Sequence, residues 1–185
     1  MRVISGTAGR LQLEAPKSMA RPSTDRLREA LFSILGNRTE SARALDLFAG
    51  SGALGIEALS RGANQATFVD QDRAAIAALK INLKRTRLES KAQIANQDVY
   101  AFLKRTPVEA AYDLVFADPP YKKNPNADDH AIILLESSLA STLASDGLLI
   151  LETGDNDPPL HSEQWTHVDS RHYGRSHLHF FTPAD

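Results

Sequence analysis

Between Ala44 and Glu152 the chain alternates short apolar runs with helical periodicities, and this limits the fold more than any other feature. ALDLFA (44–49), QATFVD (65–70), KAQIAN (91–96), YDLVFA (112–117) and GLLILE (147–152) read as strands. The stretches 53–60, 72–86, 98–105 and the one marked by Ile132, Leu135, Leu139 and Leu143 read as helices. Strands separated by helices need crossover connections, hence a mostly parallel sheet with helices on both faces. Two ends depart from this rhythm. WTHVDSRHYGRSHLHFF (165–181) holds two strand-like runs about Gly174 without a helix between them, the pattern of a terminal antiparallel hairpin. Residues 2–14 alternate weakly around Gly6 and Gly9, which predicts a short amino-terminal β-hairpin. Pro16 and Pro22 bracket a loop, after which Thr24 caps a helix expected to bury the face of Leu27, Ala30, Leu31, Ile34 and Leu35 and to stop at Gly36.

The length of 185 residues suits one domain, expected as an arm over 1–20 and an α/β core over 21–185. The chain has no cysteine, which removes disulfides, thiolate zinc sites, iron–sulfur clusters and cysteine nucleophiles. No apolar run approaches the ~20 residues of a membrane-spanning helix. MRVISGTAGR lacks an apolar signal core, so a soluble, cytoplasmic protein without a membrane partner is expected. Charge is split unevenly. Residues 1–43 carry a formal +4 and the remainder −6, a basic end on an acidic body. Such an end suits contact with a polyanion, although a solvated helix face gives the same composition.

Gly50-Ser51-Gly52-Ala53-Leu54-Gly55 fits G-x-G-x-x-G between a strand and a helix, and Asp70 follows twenty residues after Gly50 at the next strand's end. Glycines let the backbone turn sharply and let a ligand approach, while an acid at that position binds ribose hydroxyls. The loop by itself suits a nicotinamide or S-adenosylmethionine equally, since both contain adenosine. About 35 residues after the fifth strand are too few for the separate substrate domain of a dehydrogenase.

Asp118-Pro119-Pro120-Tyr121 ends the fourth strand and faces the same crevice. A nucleobase amine is a poor nucleophile because its lone pair is delocalised into the ring. Acceptors around its hydrogens draw the nitrogen towards tetrahedral geometry. Asp118 offers a carboxylate and Pro119 a carbonyl, and the two prolines restrict the backbone that carries them. Tyr121 offers a flat surface for an extruded base. Methylation at carbon 5 of a pyrimidine usually needs a cysteine adduct, so its absence points to an amine acceptor.

The runs RPSTDRLREALFSIL (21–35), DLFAGSGALGIEALSRGA (46–63), FVDQD (68–72), FADPPY (116–121) and HYGRSHLHFF (172–181) together resemble the RsmD family, bacterial 16S ribosomal RNA guanine-N(2)-methyltransferases. The resemblance implies a Rossmann-like class I methyltransferase: seven strands in the order 3-2-1-4-5-7-6. It implies S-adenosylmethionine as cofactor, S-adenosylhomocysteine as product, and no metal. By the same resemblance Asp46, Phe48, Gly50 and Gly52 line the cofactor, Asp70 holds its ribose, and Asp98 with Val99 meets its adenine. Asp118 and Tyr121 then face the target guanine, with Pro119 and Pro120 between them in the catalytic tetrapeptide. Two positions depart from the family pattern: Asp70 stands where Glu is frequent, and Ala8 stands where a lysine usually precedes Gly9-Arg10.

The RNA-binding candidates are Arg10, Arg21, Arg26, Arg28, Lys122 and Lys123, the last two in a polar loop that is either a lid or solvated. The expected partner is ribosomal RNA in a small-subunit assembly particle, with the enzyme acting as a monomer. Other readings are an adenine or cytosine amine as acceptor, a small nicotinamide oxidoreductase, or a non-catalytic RNA-binding module. His177 and His179 share a strand face without a third ligand, and Ser51 lacks a G-x-S-x-G elbow, so neither metal nor hydrolase chemistry is expected.

Overall fold

A computed structural model of the chain describes residues 1–15, 24–105, 111–120, 129–154 and 160–184. The core elements, in order, are α1 (Asp25–Leu35), β1 (Arg43–Leu47), α2 (Ala53–Ser60), β2 (Gln65–Asp70), α3 (Arg73–Thr86), β3 (Ala92–Asn96) and α4 (Val99–Arg105). They continue with β4 (Tyr112–Ala117), α5 (His130–Leu135), α6 (Leu139–Thr142), β5 (Leu143–Gly154), β6 (Trp165–Tyr173) and β7 (Ser176–Pro183). The seven strands form one sheet in the order β3-β2-β1-β4-β5-β7-β6, as the resemblance implies. β7 and β6 are antiparallel additions to an otherwise parallel sheet.

Each sheet face has its own core. On one, the arm's Val3, Ala8 and Leu13 join Leu31 and Phe32 of α1, Ile56 of α2 and Leu79 of α3 against Phe68, Phe116 and Ile150. On the other, Phe102 of α4, Leu134 of α5 and Leu139 of α6 pack on Leu45, Val115 and Leu149. The alternation Phe116/Val115 and Ile150/Leu149 follows from the two-residue period of a strand buried on both sides. Sequence order reverses between β1 and β4, so the crevice beyond their carboxyl ends is the topological switch point.

The expected caps form. Thr24 Oγ1 accepts the Leu27 N–H at 3.2 Å, and Gly36 ends α1 with φ +51°. Two expectations change. The helix predicted through Leu143 breaks at Glu136–Ser138, because Ser137 Oγ donates to the Leu134 carbonyl and accepts the Leu139 N–H. Leu143 instead begins β5 opposite Tyr112, and the register shifts before Leu148 meets Leu114. Ile34, expected on the buried face of α1, is 42% exposed. The amino-terminal hairpin is short: beside the antiparallel bridge Arg2–Gln12, the Val3 N–H donates to the Leu11 carbonyl at 2.9 Å, the Arg10 N–H to the Val3 carbonyl at 2.8 Å and the Leu13 N–H to the Met1 carbonyl at 2.9 Å.

Besides its own backbone bonds, the arm is held by side chains of the core. Glu57 of α2 accepts the Ile4 and Ser5 N–H groups at 2.7 and 3.1 Å, and Ser60 Oγ accepts that of Ala8 at 3.0 Å. Asn82 of α3 accepts the Glu14 N–H, then donates to the Glu14 carbonyl at 2.8 Å and to the Ser51 carbonyl at 2.9 Å. No helix among the described residues is long and apolar enough to cross a membrane.

Candidate active site

The turn after β1 is built for close approach. Phe48, Gly50 and Gly52 all have positive φ (+56°, +55° and +81°), a conformation glycine adopts freely and phenylalanine only under constraint. Gly55, the third glycine, lets α2 pack directly on the sheet: a Cβ there would lie 2.3 Å from Phe68 Cε1. The Asp46 carboxylate accepts the Gly55 N–H at 2.8 Å, fixing the start of α2 to β1. The Asp70 carboxylate accepts the Gly50 N–H at 2.7 Å and the Asp72 N–H at 2.8 Å, one on each oxygen.

Asp98 caps α4 by accepting the Ala101 N–H at 2.9 Å, and Val99 is buried beneath it. Tyr100 and His130 extend this side of the crevice. Their rings lie parallel at 5.8 Å, Tyr100 Oη is 2.6 Å from His130 Nδ1, and Phe48 meets both edge-on. Neither residue was a sequence candidate. Tyr100 could have been flagged by its place at the start of the helix after the third strand, whereas His130 has no local signal.

These residues fit an adenosine. Each Asp70 oxygen keeps a lone pair for a ribose hydroxyl, the second Asp98 oxygen is an acceptor for an exocyclic amine, and Phe48 offers a flat apolar wall.

Asp118 follows β4 directly, with Pro119 buried beside it and Pro120 exposed. Through the register Asp46–Phe116–Ile150 and the two-residue period, Asp46, Asp118 and Glu152 point to the same sheet face from β1, β4 and β5. Crowding three acids in an enclosed place disfavours their charged forms. Burial above all, then Glu152 and Asp46, pushes the Asp118 carboxyl well above the usual carboxylate range. Burial raises Asp46 to about 8, with Asp70 adding to the rise and the Gly55 N–H opposing it. Glu152 is the functional candidate the sequence reading missed. Its signal was available, since it is a lone acid ending an apolar strand, as are Asp70 and Asp118.

The cationic candidates separate. Arg10 and Arg26 are exposed and make no side-chain ion pair or hydrogen bond among the described residues. Arg28 is a correction: it is wholly buried, donates to Asp25 at 2.7 Å and to the Arg2 carbonyl at 2.8 Å, and lies 4.0 Å from Glu57. A guanidinium enclosed by α1, the arm and α2 has no route to a phosphate; it braces the arm instead. Arg21, Tyr121, Lys122 and Lys123 lie outside the described residues.

Residues 1–182 match the family model described as Conserved hypothetical protein 95. Ribosomal RNA small subunit methyltransferase D of Escherichia coli (strain K12) is 38% identical over 170 residues, covering 90% of this chain and 81% of that one. The protein of the same name from Haemophilus influenzae is 38% identical over 147 residues, 79% of this chain and 74% of its own. A solved structure of the Thermus thermophilus hypothetical protein TTHA0928 superposes with a TM-score of 0.81 at 34% identity, covering all of this chain and 99% of that one. With the family model spanning nearly every residue and these relatives alike over most of their length, the chain belongs to the Conserved hypothetical protein 95 family, the RsmD family.

Proposed function

We propose that this protein methylates the exocyclic amino group of a guanine in small-subunit ribosomal RNA, with S-adenosylmethionine as methyl donor. The observation that carries the reading is the position of Asp118-Pro119-Pro120: at the end of β4, beside β1 and its glycine turn, at the topological switch point. The names of the relatives support RNA as the acceptor and the small subunit as its source.

When bound, S-adenosylmethionine supplies an activated sulfonium methyl and leaves as S-adenosylhomocysteine, so no metal is called for. Asp46, Phe48, Gly50, Gly52, Asp70, Asp98 and Val99 form its bed, with Asp70 on the ribose and Asp98 towards the adenine. Asp118 and the Pro119 carbonyl accept hydrogen bonds from the target amine and expose its lone pair to the methyl carbon. Tyr121, next in the chain, stacks on the extruded base. The nitrogen lone pair forms the new N–C bond, and the proton released from the amine is taken by a nearby carboxylate or by water. Arg10 and Arg26 contribute to the grip on RNA, together with Arg21, Lys122 and Lys123.

The chain works as one domain, an arm over 1–20 on a catalytic core over 21–185, as a cytoplasmic monomer on an assembling small-subunit particle. The test is transfer of labelled methyl from S-adenosylmethionine to small-subunit RNA or particles from cells lacking this protein, with the product nucleoside identified by mass spectrometry. N2-methylguanosine at one position is expected. No transfer, or stabilisation by NAD but not by S-adenosylhomocysteine, rejects the reading.

A further inference from the structure

We propose that the tip of the β6–β7 hairpin is an RNA-docking surface flanking the acceptor side of the crevice; this rests on the function proposed above. Register fixes where the tip lies. Ala117 of β4 pairs with Leu151 of β5, Leu151 with His179 of β7, and His179 with Ser170 of β6. Asp118 is therefore level with Glu152, Leu178 and Arg171, and the turn at Gly174-Arg175 projects three to four residues further, ~10 Å beyond the catalytic row. β7 stands two strands from β4, so the overhang begins ~10 Å to the side of Asp118. This is the side away from β1 and its glycine turn. A polynucleotide that presents one base to Asp118 from the β5 side passes this edge.

The chemistry of the tip matches a phosphate chain. Residues 171–177, Arg-His-Tyr-Gly-Arg-Ser-His, contain two arginines and two histidines and no acid, in a body that is otherwise net acidic. Arg175 is exposed at the apex, where Gly174 turns with φ +65°, and makes no ion pair or hydrogen bond among the described residues. His172 and His177 face each other across the strands with ring centroids 4.3 Å apart, and the His179 ring lies nearly parallel to that of His177 at 6.1 Å. The rings form a strip of N–H groups and flat surfaces leading back towards the crevice, on the face opposite Glu152. Arg171 is held on that other face by Asp169 at 2.8 Å, which leaves Arg175 as the cation with most freedom to meet a phosphate.

The experiment compares Arg175→Glu with Lys104→Glu, an equal change of charge at an exposed position near the end of α4, where that helix has returned to the opposite end of the sheet. Steady-state methyl transfer is measured on small-subunit RNA at several salt concentrations, with S-adenosylhomocysteine binding and melting as controls. Arg175→Glu is expected to raise KM for RNA by roughly tenfold, the weight of one charge-assisted hydrogen bond, with kcat and S-adenosylhomocysteine affinity unchanged. The slope of log affinity against log salt should fall by about 1. Lys104→Glu should alter none of these. If the unaltered protein transfers methyl to RNA and Arg175→Glu leaves KM and salt slope unchanged, the docking surface is wrong. If the unaltered protein transfers nothing to RNA, the underlying function is wrong.

Discussion

The Asp70 carboxylate accepts the Gly50 N–H at 2.7 Å, so the acid ending the second strand holds the turn that follows the first. One side chain thereby shapes the glycine turn and, in the function proposed above, presents lone pairs to a ribose. Asp70→Ala removes both, and S-adenosylhomocysteine affinity should fall by ~10–100-fold, as for loss of a charged hydrogen bond. Asp70→Asn retains an acceptor for Gly50 and should lose less. Titration calorimetry on both variants ranks them, and equal affinities would remove Asp70 from the cofactor site.

In the mechanism proposed above Asp118 accepts most strongly when ionised, because protonation turns one of its two oxygens into a donor, and burial, Glu152 and Asp46 hold its carboxyl well above the ordinary range. The rate of methyl transfer should therefore rise with pH to a plateau, the midpoint belonging to the carboxylate cluster rather than to one residue. Asp118→Ala should abolish transfer while S-adenosylhomocysteine still binds. Glu152→Gln removes a like charge and should move the midpoint to lower pH. A pH–rate profile whose midpoint is the same in Glu152→Gln as in the unaltered protein would break the link between the two acids.

Asp46 binds its proton more tightly in the folded state, at about 8 against an ordinary 3.8. Between those values the folded protein holds more protons than the unfolded chain, so this group's contribution is full below pH ~4 and is lost as pH rises to about 8. Asp46→Asn keeps an oxygen for the Gly55 N–H and cannot ionise. Its melting temperature should gain on that of the unaltered protein as pH rises to about 8, with a flatter profile between pH ~4 and about 8. Parallel melting profiles for the two proteins would contradict this.

Gly55→Ala tests the packing of α2 on the sheet. The new Cβ would meet the buried Phe68 ring at 2.3 and 2.8 Å and the Asp46 carboxylate at 3.1 Å. Neither neighbour has space to retreat in a close-packed interior, so destabilisation by ~1–3 kcal/mol is expected. The urea midpoint should fall with the slope unchanged.

The arm calls for two different variants. Deleting residues 1–14 exposes the apolar surface under Val3, Ala8 and Leu13 and strips Glu57, Ser60 and Asn82 of partners inside the core. That deletion should unfold or markedly destabilise the protein, because buried polar groups left unpaired cost ~1–3 kcal/mol each. Arg10→Ala touches none of these bonds and should lower the salt slope of RNA binding by about 1 at an unchanged melting temperature. A deleted protein that melts normally would show the arm to be an appendage.

Hydrophobic period, glycines and acids at strand ends are local signals, so the element order, the glycine turn, Asp70 and Asp118 are legible in the chain itself. The sheet order came from the family resemblance, and the pairing of strands bears it out. Tertiary packing decided what becomes of the charges. Arg26 and Arg28 sit two residues apart on one helix, yet one is exposed and the other is sealed beneath the arm. Helical spacing does put Arg28 in the stripe of Leu31, Phe32 and Leu35, but only the arm's arrival across α2 closes that stripe to solvent. Likewise Glu152 reads as one more strand-end acid until β5 pairs with β4 and brings it level with Asp118. A charge's behaviour depends on its dielectric surroundings and neighbouring charges, and elements distant in sequence supply both.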